Sequence, residues 1–241
     1  MFQILILCAG KGTRMGKLTQ SLAKPALLVN HQSIVSRLFT QSTNFLQPTQ
    51  ICINVGHNAI TVLEALYYSN NLEKVRLIYE PNILGSLNTL CYLHNNFPDD
   101  TLVFHGDLVM SDSYIKALYK NIELWGHESF VVYHKRVTRH ARSRIELKNG
   151  YIQEFTEQKN TRGSYYSYVN SGVYFFKSSD VKLVSPPDQP TQIAPDGLRL
   201  IMNSSRLRAV HQSTSERIAV EDVLTLGKAS RMSKKWSENF F

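Results

Sequence analysis

Ile4-Leu-Ile-Leu-Cys-Ala-Gly-Lys-Gly-Thr-Arg-Met-Gly-Lys-Leu-Thr-Gln-Ser-Leu-Ala-Lys24 decides how the rest of the chain is read. Ile4 to Cys8 is an unbroken apolar run, too short for a membrane span and suited to a strand buried on both faces. The run stops at Ala9-Gly10-Lys11-Gly12-Thr13-Arg14. Glycines at 10 and 12 tolerate positive φ and close backbone approach, so several N–H groups can converge on an anion. With Arg14 and Lys24 bracketing small and polar residues, the pattern predicts phosphates over the carboxyl end of the strand. It is not the Walker loop, because no Gly-Lys-Ser/Thr follows four residues after a first glycine. It is not the dinucleotide fingerprint either, because the third glycine is missing.

Outward from that strand the chain alternates strand and helix. Ser33–Leu46 reads as a helix capped by Ser33, Gln50–Val55 as a strand, and Asn58–Ser69 as a helix burying Ile60, Leu63, Leu66 and Tyr67. Val75–Tyr79 reads as a strand, Ser86–Leu93 as a helix and Thr101–His105 as a strand. Ser113–Leu124 follows as a helix and Ser129–Tyr133 as a strand. This order predicts an α/β fold, a Rossmann-like and mostly parallel sheet sandwiched by helices, with ligand at the carboxyl ends of the strands. Beyond about residue 140 the pattern turns β-rich. Asn149-Gly150 is a two-residue hairpin signal between Arg144–Lys148 and Tyr151–Glu157, and Tyr165–Phe176 reads as a long strand. A strand over Arg206–Gln212 and a helix over Asp222–Arg231 complete the reading; Ser233–Phe241 has no assignable role beyond docking.

Length and composition set the bounds. A chain of 241 residues suits one α/β domain, and 43% hydrophobic with 19% charged residues is a globular composition. The net charge of +8 is scattered rather than blocked. That argues against a nucleic-acid arm and is partly explained by a phosphate-rich substrate. Cys8, Cys52 and Cys91 lie far apart in apolar contexts, as buried free thiols do in a reducing compartment. With no leader-like segment and no run near the roughly 20 apolar residues of a membrane helix, a cytoplasmic protein without membrane contacts is expected.

Leu7-Cys8-Ala9-Gly10-Lys11-Gly12-Thr13-Arg14-Met15, with Lys24-Pro25-Ala26-Leu27-Leu28 ten residues after the arginine, resembles the sugar-phosphate nucleotidyltransferases. The resemblance implies that Leu7, Ala9, Gly10, Gly12, Thr13, Arg14 and Lys24 grip a nucleoside triphosphate. It also implies that Gly106-Asp107, after the fourth strand, matches the family's Gly-Asp, whose aspartate binds a metal. Leu84-Gly85-Ser86, following Glu80, resembles the family's Leu-Gly-Thr, which reads the nucleobase edge. Asn170-Ser171-Gly172-Val173-Tyr174 resembles the Asn-Ala-Gly-(Ile/Val)-Tyr that lines the sugar pocket, joined there by Gly106. Glu157 stands where a Glu-Lys-Pro binds the sugar phosphate, but here the lysine is displaced to Lys159 and the proline is absent. Asp222-Val-Leu-Thr225 resembles the late Asp-x-x-Thr that gives the second metal ligand. Three readings stay open there: Asp222 as ligand, Glu221 as ligand, or Asp222 as a helix cap. Arg142-Ser143-Arg144 replaces a family Tyr-Gly, implying an altered acceptor pocket.

The chemistry implied is attack of an acceptor phosphate on the α-phosphorus of a nucleoside triphosphate. It needs positioning and charge screening rather than a covalent intermediate. Arg14 can grip phosphate bidentately, Lys24 is a point charge, and Mg²⁺ with Asp107 and Asp222 screens the remainder. Arg14, Lys24 and Asp107 are the expected catalytic set. The single domain would then comprise a nucleotide-binding core over 1–135 and a sugar-phosphate-binding half over 136–241, ending without the β-helix that acetylating relatives append. A phosphocholine-type cytidylyltransferase and an inactive nucleotide-sugar-binding protein are the alternatives.

Overall fold

The computed structural model describes residues 1–138, 144–156 and 165–238. Among these, the elements begin with β1 (Gln3–Leu7), β2 (Leu28–Val29), β3 (Gln32–Ser33), α1 (Ile34–Phe45), β4 (Ile51–Val55), α2 (Ala59–Tyr68), β5 (Arg76–Tyr79) and α3 (Ser86–Asn96). They continue with β6 (Thr101–His105), β7 (Leu108–Met110), α4 (Asp112–Trp125), β8 (Phe130–Thr138), β9 (Arg144–Lys148), β10 (Tyr151–Thr156) and β11 (Tyr165–Phe176). Last come α5 (Ser178–Lys182), α6 (Leu198–Met202), β12 (Arg208–His211), β13 (Arg217–Ala219) and α7 (Val223–Glu238). The chain divides into two compact units, residues 1–83, 104–119 and 215–241 in one, and 84–103 with 120–214 in the other.

In the first unit the strand order is β5-β4-β1. The pairs β1–β4 and β4–β5 are parallel, with Ile4 opposite Ile51, Leu7 opposite Asn54 and Cys52 opposite Arg76. Ile4, Leu5 and Ile6 are fully buried, as the apolar run requires of a strand covered on both faces. Each such side chain contributes about 2 kcal/mol of burial. The α/β class read from the sequence is borne out. Helix α1 starts where Ser33 accepts the Ser36 N–H on its hydroxyl, and it buries Ile34, Val35, Leu38 and Phe39. Helix α2 departs from expectation. It buries Val62 and Leu66, while Ile60 and Tyr67 stand 63% and 65% exposed. Its sequence is apolar nearly all round, so periodicity cannot select the inward face.

The second unit is β-rich. Its order is β11-β8-β12-β10-β9, with β11 antiparallel to β8 and β12 parallel to it. The β9–β10 hairpin turns at Asn149 (φ 53°) and Gly150 (φ 81°), the two positive values that a tight hairpin turn demands. Phe130 and Phe175 stack at 5.2 Å between ring centroids and fill the face between β8 and β11.

Candidate active site

The loop after β1 is shaped by its own backbone. Gly12 sits at φ 62°, where its carbonyl accepts the Met15 N–H at 2.9 Å and the Thr19 hydroxyl at 2.9 Å. A Cβ at Gly12 would lie 3.1 Å from the Thr19 methyl and 3.2 Å from the Lys24 Cβ, so the chain from 12 to 24 folds tightly onto itself. Below the loop, the Cys8 N–H donates to the Asn54 side-chain oxygen at 2.6 Å, and the Asn54 amide donates to Glu80 at 2.9 Å. The carboxylate of Glu80, 2% exposed, is therefore spent inside the fold, bracing the strand ends. The Ala9 carbonyl accepts the His57 N–H at 3.2 Å, while Gly10 is exposed with open space around its Cα.

Asp107 arrives at the same strand edge from β6. The Gly106 N–H donates to the Leu7 carbonyl at 3.0 Å, and a Cβ at Gly106 would sit 2.4 Å from that oxygen and 2.9 Å from the Cys8 sulfur. Only glycine permits this approach. Lys24 Nζ donates to Asp107 Oδ2 at 2.5 Å, with the two side chains 15% and 17% exposed. Burial alone would raise the Asp107 carboxyl. The Lys24 and His105 charges, the Lys24 hydrogen bond and the Arg217 charge outweigh it and hold the group below its ordinary value. His105 is lowered by burial, with Arg217 and Lys24 adding to the effect against the pull of Asp107. The Cys8 thiol beneath is pushed far up by burial and by the Asp107 charge, which makes it inert.

A pairing between distant segments brings the late acidic residues here. Strand β13 runs antiparallel to β7, with Ala219 opposite Leu108, and the Val220 N–H donates to the Asp107 carbonyl at 2.8 Å. Glu221 and Asp222 follow directly. Arg14 Nη1 donates to Glu221 Oε2 at 2.7 Å, both side chains about half exposed. Asp222 Oδ1 accepts the Thr225 N–H and the Thr225 hydroxyl, each at 2.8 Å, which caps α7. Those Thr225 bonds are the main reason its carboxyl lies below the usual carboxylate range, with the Arg14 charge a smaller contribution. Asp222 thus forms the helix cap, one of the readings open at this position, and it keeps its second carboxylate oxygen clear of the Thr225 bonds.

Thus Arg14, Lys24, Asp107 and Glu221–Asp222 converge in one unit. Among the described residues no group of three or more His, Cys, Asp or Glu side chains assembles into a ready cation cage. The available donors are carboxylate oxygens from two adjoining segments. That suits a hard divalent ion which completes its shell with phosphate and water.

The second unit holds the other expected residues. Ser86 does not cap α3; its hydroxyl donates to Gln192 Oε1 and accepts the Ile193 N–H, tying Gly85-Ser86 to the 191–193 segment, where Leu87 N–H also donates to the Thr191 carbonyl. Asn170 and Gly172 form an irregularity in β11: the register against β8 shifts between Asn170 and Tyr174, and Asn170 Oδ1 accepts the Gly172 N–H at 2.9 Å. Glu157, Lys159, Arg142 and Ser143 lie outside the described residues. Two interactions escaped the sequence reading. The Glu221 partnership with Arg14 has no local signal, whereas Asn54 does have one, as a polar residue inside the apolar strand Ile51-Cys-Ile-Asn-Val.

A family profile described as Nucleotidyl transferase matches residues 3–218, and the chain belongs to that family of nucleotidyltransferases. The bifunctional protein GlmU of Methanococcus maripaludis (strain C7) is 31% identical over 118 residues, 48% of this chain and 28% of GlmU. The chain thus spans about a quarter of that relative's length. Among solved structures, a UDP-glucose pyrophosphorylase complexed with UDP-glucose superposes with a TM-score of 0.73 at 18% identity, covering 98% of this chain and 99% of that one. The CTP:phosphocholine cytidylyltransferase LicC of Streptococcus pneumoniae superposes at 0.74 and 16% identity, covering 96% and 99%. At such identities these structures establish the fold. No helix among the described residues is long and apolar enough to cross a membrane.

Proposed function

We propose that this protein transfers a nucleotidyl group from a nucleoside triphosphate to a sugar 1-phosphate, or a similarly small phosphate, releasing pyrophosphate in the cytoplasm. The observation that carries this reading is the part-buried Lys24–Asp107 pair, with Asp107 just beyond the carboxyl end of β6, and the Arg14–Glu221 pair in the same unit. Each cation is held by a carboxylate partner, which a phosphate oxygen can replace. An oxygen of the acceptor phosphate attacks the α-phosphorus, and the bond from that phosphorus to the α,β-bridging oxygen breaks. Its electron pair leaves with pyrophosphate. Backbone N–H groups of the Gly10–Thr13 loop and the forked Arg14 guanidinium bind the triphosphate, while Lys24 balances charge where it builds up.

Asp107, with Asp222 or Glu221, would hold Mg²⁺, which when bound supplies further screening of phosphate charge. In the second unit, the Gly85-Ser86 backbone is assigned to the base edge, and Asn170 and Gly172, with Glu157 and Lys159, to the acceptor. Pyrophosphate release against a matrix of four triphosphates and several phosphate acceptors tests the reaction. One productive combination is expected, abolished in Arg14→Ala and Asp107→Ala proteins that remain folded. Nucleotide binding without turnover for every combination would replace the enzyme with a binding module.

A further inference from the structure

Helix α2 begins in a way that its own capping does not explain. Asn58, at its N-terminus, lies in the left-handed region at φ 51°, and its side chain caps nothing in its own helix. An asparagine in that place ordinarily has extended backbone and accepts an N–H two or three residues on, a stabilisation this one forgoes. The left-handed backbone adds a cost that asparagine bears better than most residues. The amide is used across the fold instead. Asn58 Nδ2 donates to the Thr19 and Gln20 carbonyls, each at 3.3 Å, and His57 Nε2 lies 3.0 Å from the same Thr19 oxygen. The Thr61 hydroxyl accepts the Ala23 N–H at 2.9 Å, and the His57 N–H donates to the Ala9 carbonyl at 3.2 Å. The first turn of α2 thus grips both flanks of the glycine loop, residue 9 before it and residues 19, 20 and 23 after it.

Thr19 carries that grip into the loop. It is 4% exposed, and while α2 holds its carbonyl, its hydroxyl donates to the Gly12 carbonyl at 2.9 Å. We propose that Asn58 and Thr19 are positioning residues for triphosphate binding. Asn58 fixes Thr19, and Thr19 fixes Gly12 in the left-handed turn that orients the Gly10–Thr13 N–H groups. The inference rests on the reading of that loop as the triphosphate site, and it adds to it two residues that lie outside the loop. Arg14 and Lys24 supply attraction for the phosphates. The strut from α2 supplies preorganisation, so that ordering the loop is not subtracted from the binding free energy.

Calorimetry with ATP, CTP, GTP and UTP in the presence of Mg²⁺ tests this on the parent and on Arg14→Ala, Asn58→Gly, Thr19→Val and Thr19→Ser proteins. Glycine accepts φ 51° without strain, so Asn58→Gly removes only the amide, and its Tm should stay within about 3 °C of the parent. Its affinity for the preferred triphosphate is expected to fall about three- to tenfold, the effect of one good hydrogen bond. Thr19→Val, which keeps the methyl and loses the hydroxyl, should show a similar fall, and Thr19→Ser should restore the affinity. Because the two residues act in series, the double variant should bind no more weakly than the weaker single one. In turnover, KM for the triphosphate should rise by the same factor while KM for the acceptor stays within about twofold. Unchanged affinity in Asn58→Gly and Thr19→Val, with Arg14→Ala weakened, would overturn the strut and leave the phosphate loop standing. Additive losses in the double variant, or an equal rise in both KM values, would also overturn it. A parent that binds no triphosphate, or an Arg14→Ala protein with full affinity, would remove the phosphate-loop reading and the strut with it.

Discussion

Replacing Lys24 by Met keeps the length and most of the volume of the side chain but removes the ammonium 2.5 Å from Asp107. The carboxylate would then be buried with its main counter-charge gone. Breaking such a pair costs about 3–5 kcal/mol when it is fully buried. The lower end applies here, because the pair retains 15% and 17% exposure and Arg217 and His105 still act on Asp107. About 3 kcal/mol corresponds to a fall of roughly 6–12 °C in Tm for a chain of this size. The pH dependence has a definite sign. In the parent protein the Asp107 carboxyl lies below its unfolded value, so its contribution is present above the unfolded pKa near 3.9 and is lost as pH falls through the folded value. In the variant, burial prevails and raises the carboxyl. Its contribution is then full below the unfolded pKa and is lost as pH rises through the raised value. The stability gap between the two proteins should therefore widen from about pH 4 to neutrality. Guanidinium unfolding at both pH values measures it, and adding Asp107→Asn to the variant should recover part of the loss. A gap under about 1 kcal/mol at neutral pH, or one that is equal at both pH values, would refute the assigned burial of this pair.

Gly106→Ala should cost about 1–3 kcal/mol, because the new methyl must displace the Leu7 carbonyl or the Cys8 sulfur; an unchanged Tm by calorimetry would contradict the packing described. Asp222→Ala should lose about 1 kcal/mol of α7 capping, whereas Glu221→Gln, at an exposed pair, should stay within about 0.5 kcal/mol of the parent. Denaturant midpoints distinguish the two, and equal losses would mean the cap is not formed. Cys52 and Cys91, each pushed up to about 11 by burial, and the still less acidic Cys8 should resist a disulfide reagent at pH 8 in the native protein. All three thiols should react in guanidinium; a rapidly reacting native thiol would refute that burial.

Much of the fold was legible because its signals are local. Ile4–Cys8 has one buried outcome, Ser33 caps as a serine in that place should, and Thr101–His105 and Tyr165–Phe176 match their strands residue for residue. What escaped was either short or non-local. Strands β7 and β13 have three residues each, too few to display a period, and their partnership spans over a hundred residues of chain. That partnership is what sets Glu221 beside Arg14. The inward face of α2 was misread because several apolar faces compete, and α7 continues to Glu238 through Ser, Lys and Trp residues that carry little apolar rhythm. Glu80 stands just before the segment expected to read the nucleobase edge, yet Asn54 draws its carboxylate inward.

The β7–β13 pairing also bears on how this protein comes into being on the ribosome. Vectorial synthesis delivers the glycine loop and Lys24 first, then Asp107, and only after another hundred or so residues the segment that settles against it. Until then Arg14 has no Glu221, and closing so long a loop is entropically slow. The emerging polypeptide therefore passes through a long interval with an exposed guanidinium and an incomplete acidic cluster, and the cluster is completed only once residues 217–222 have been made.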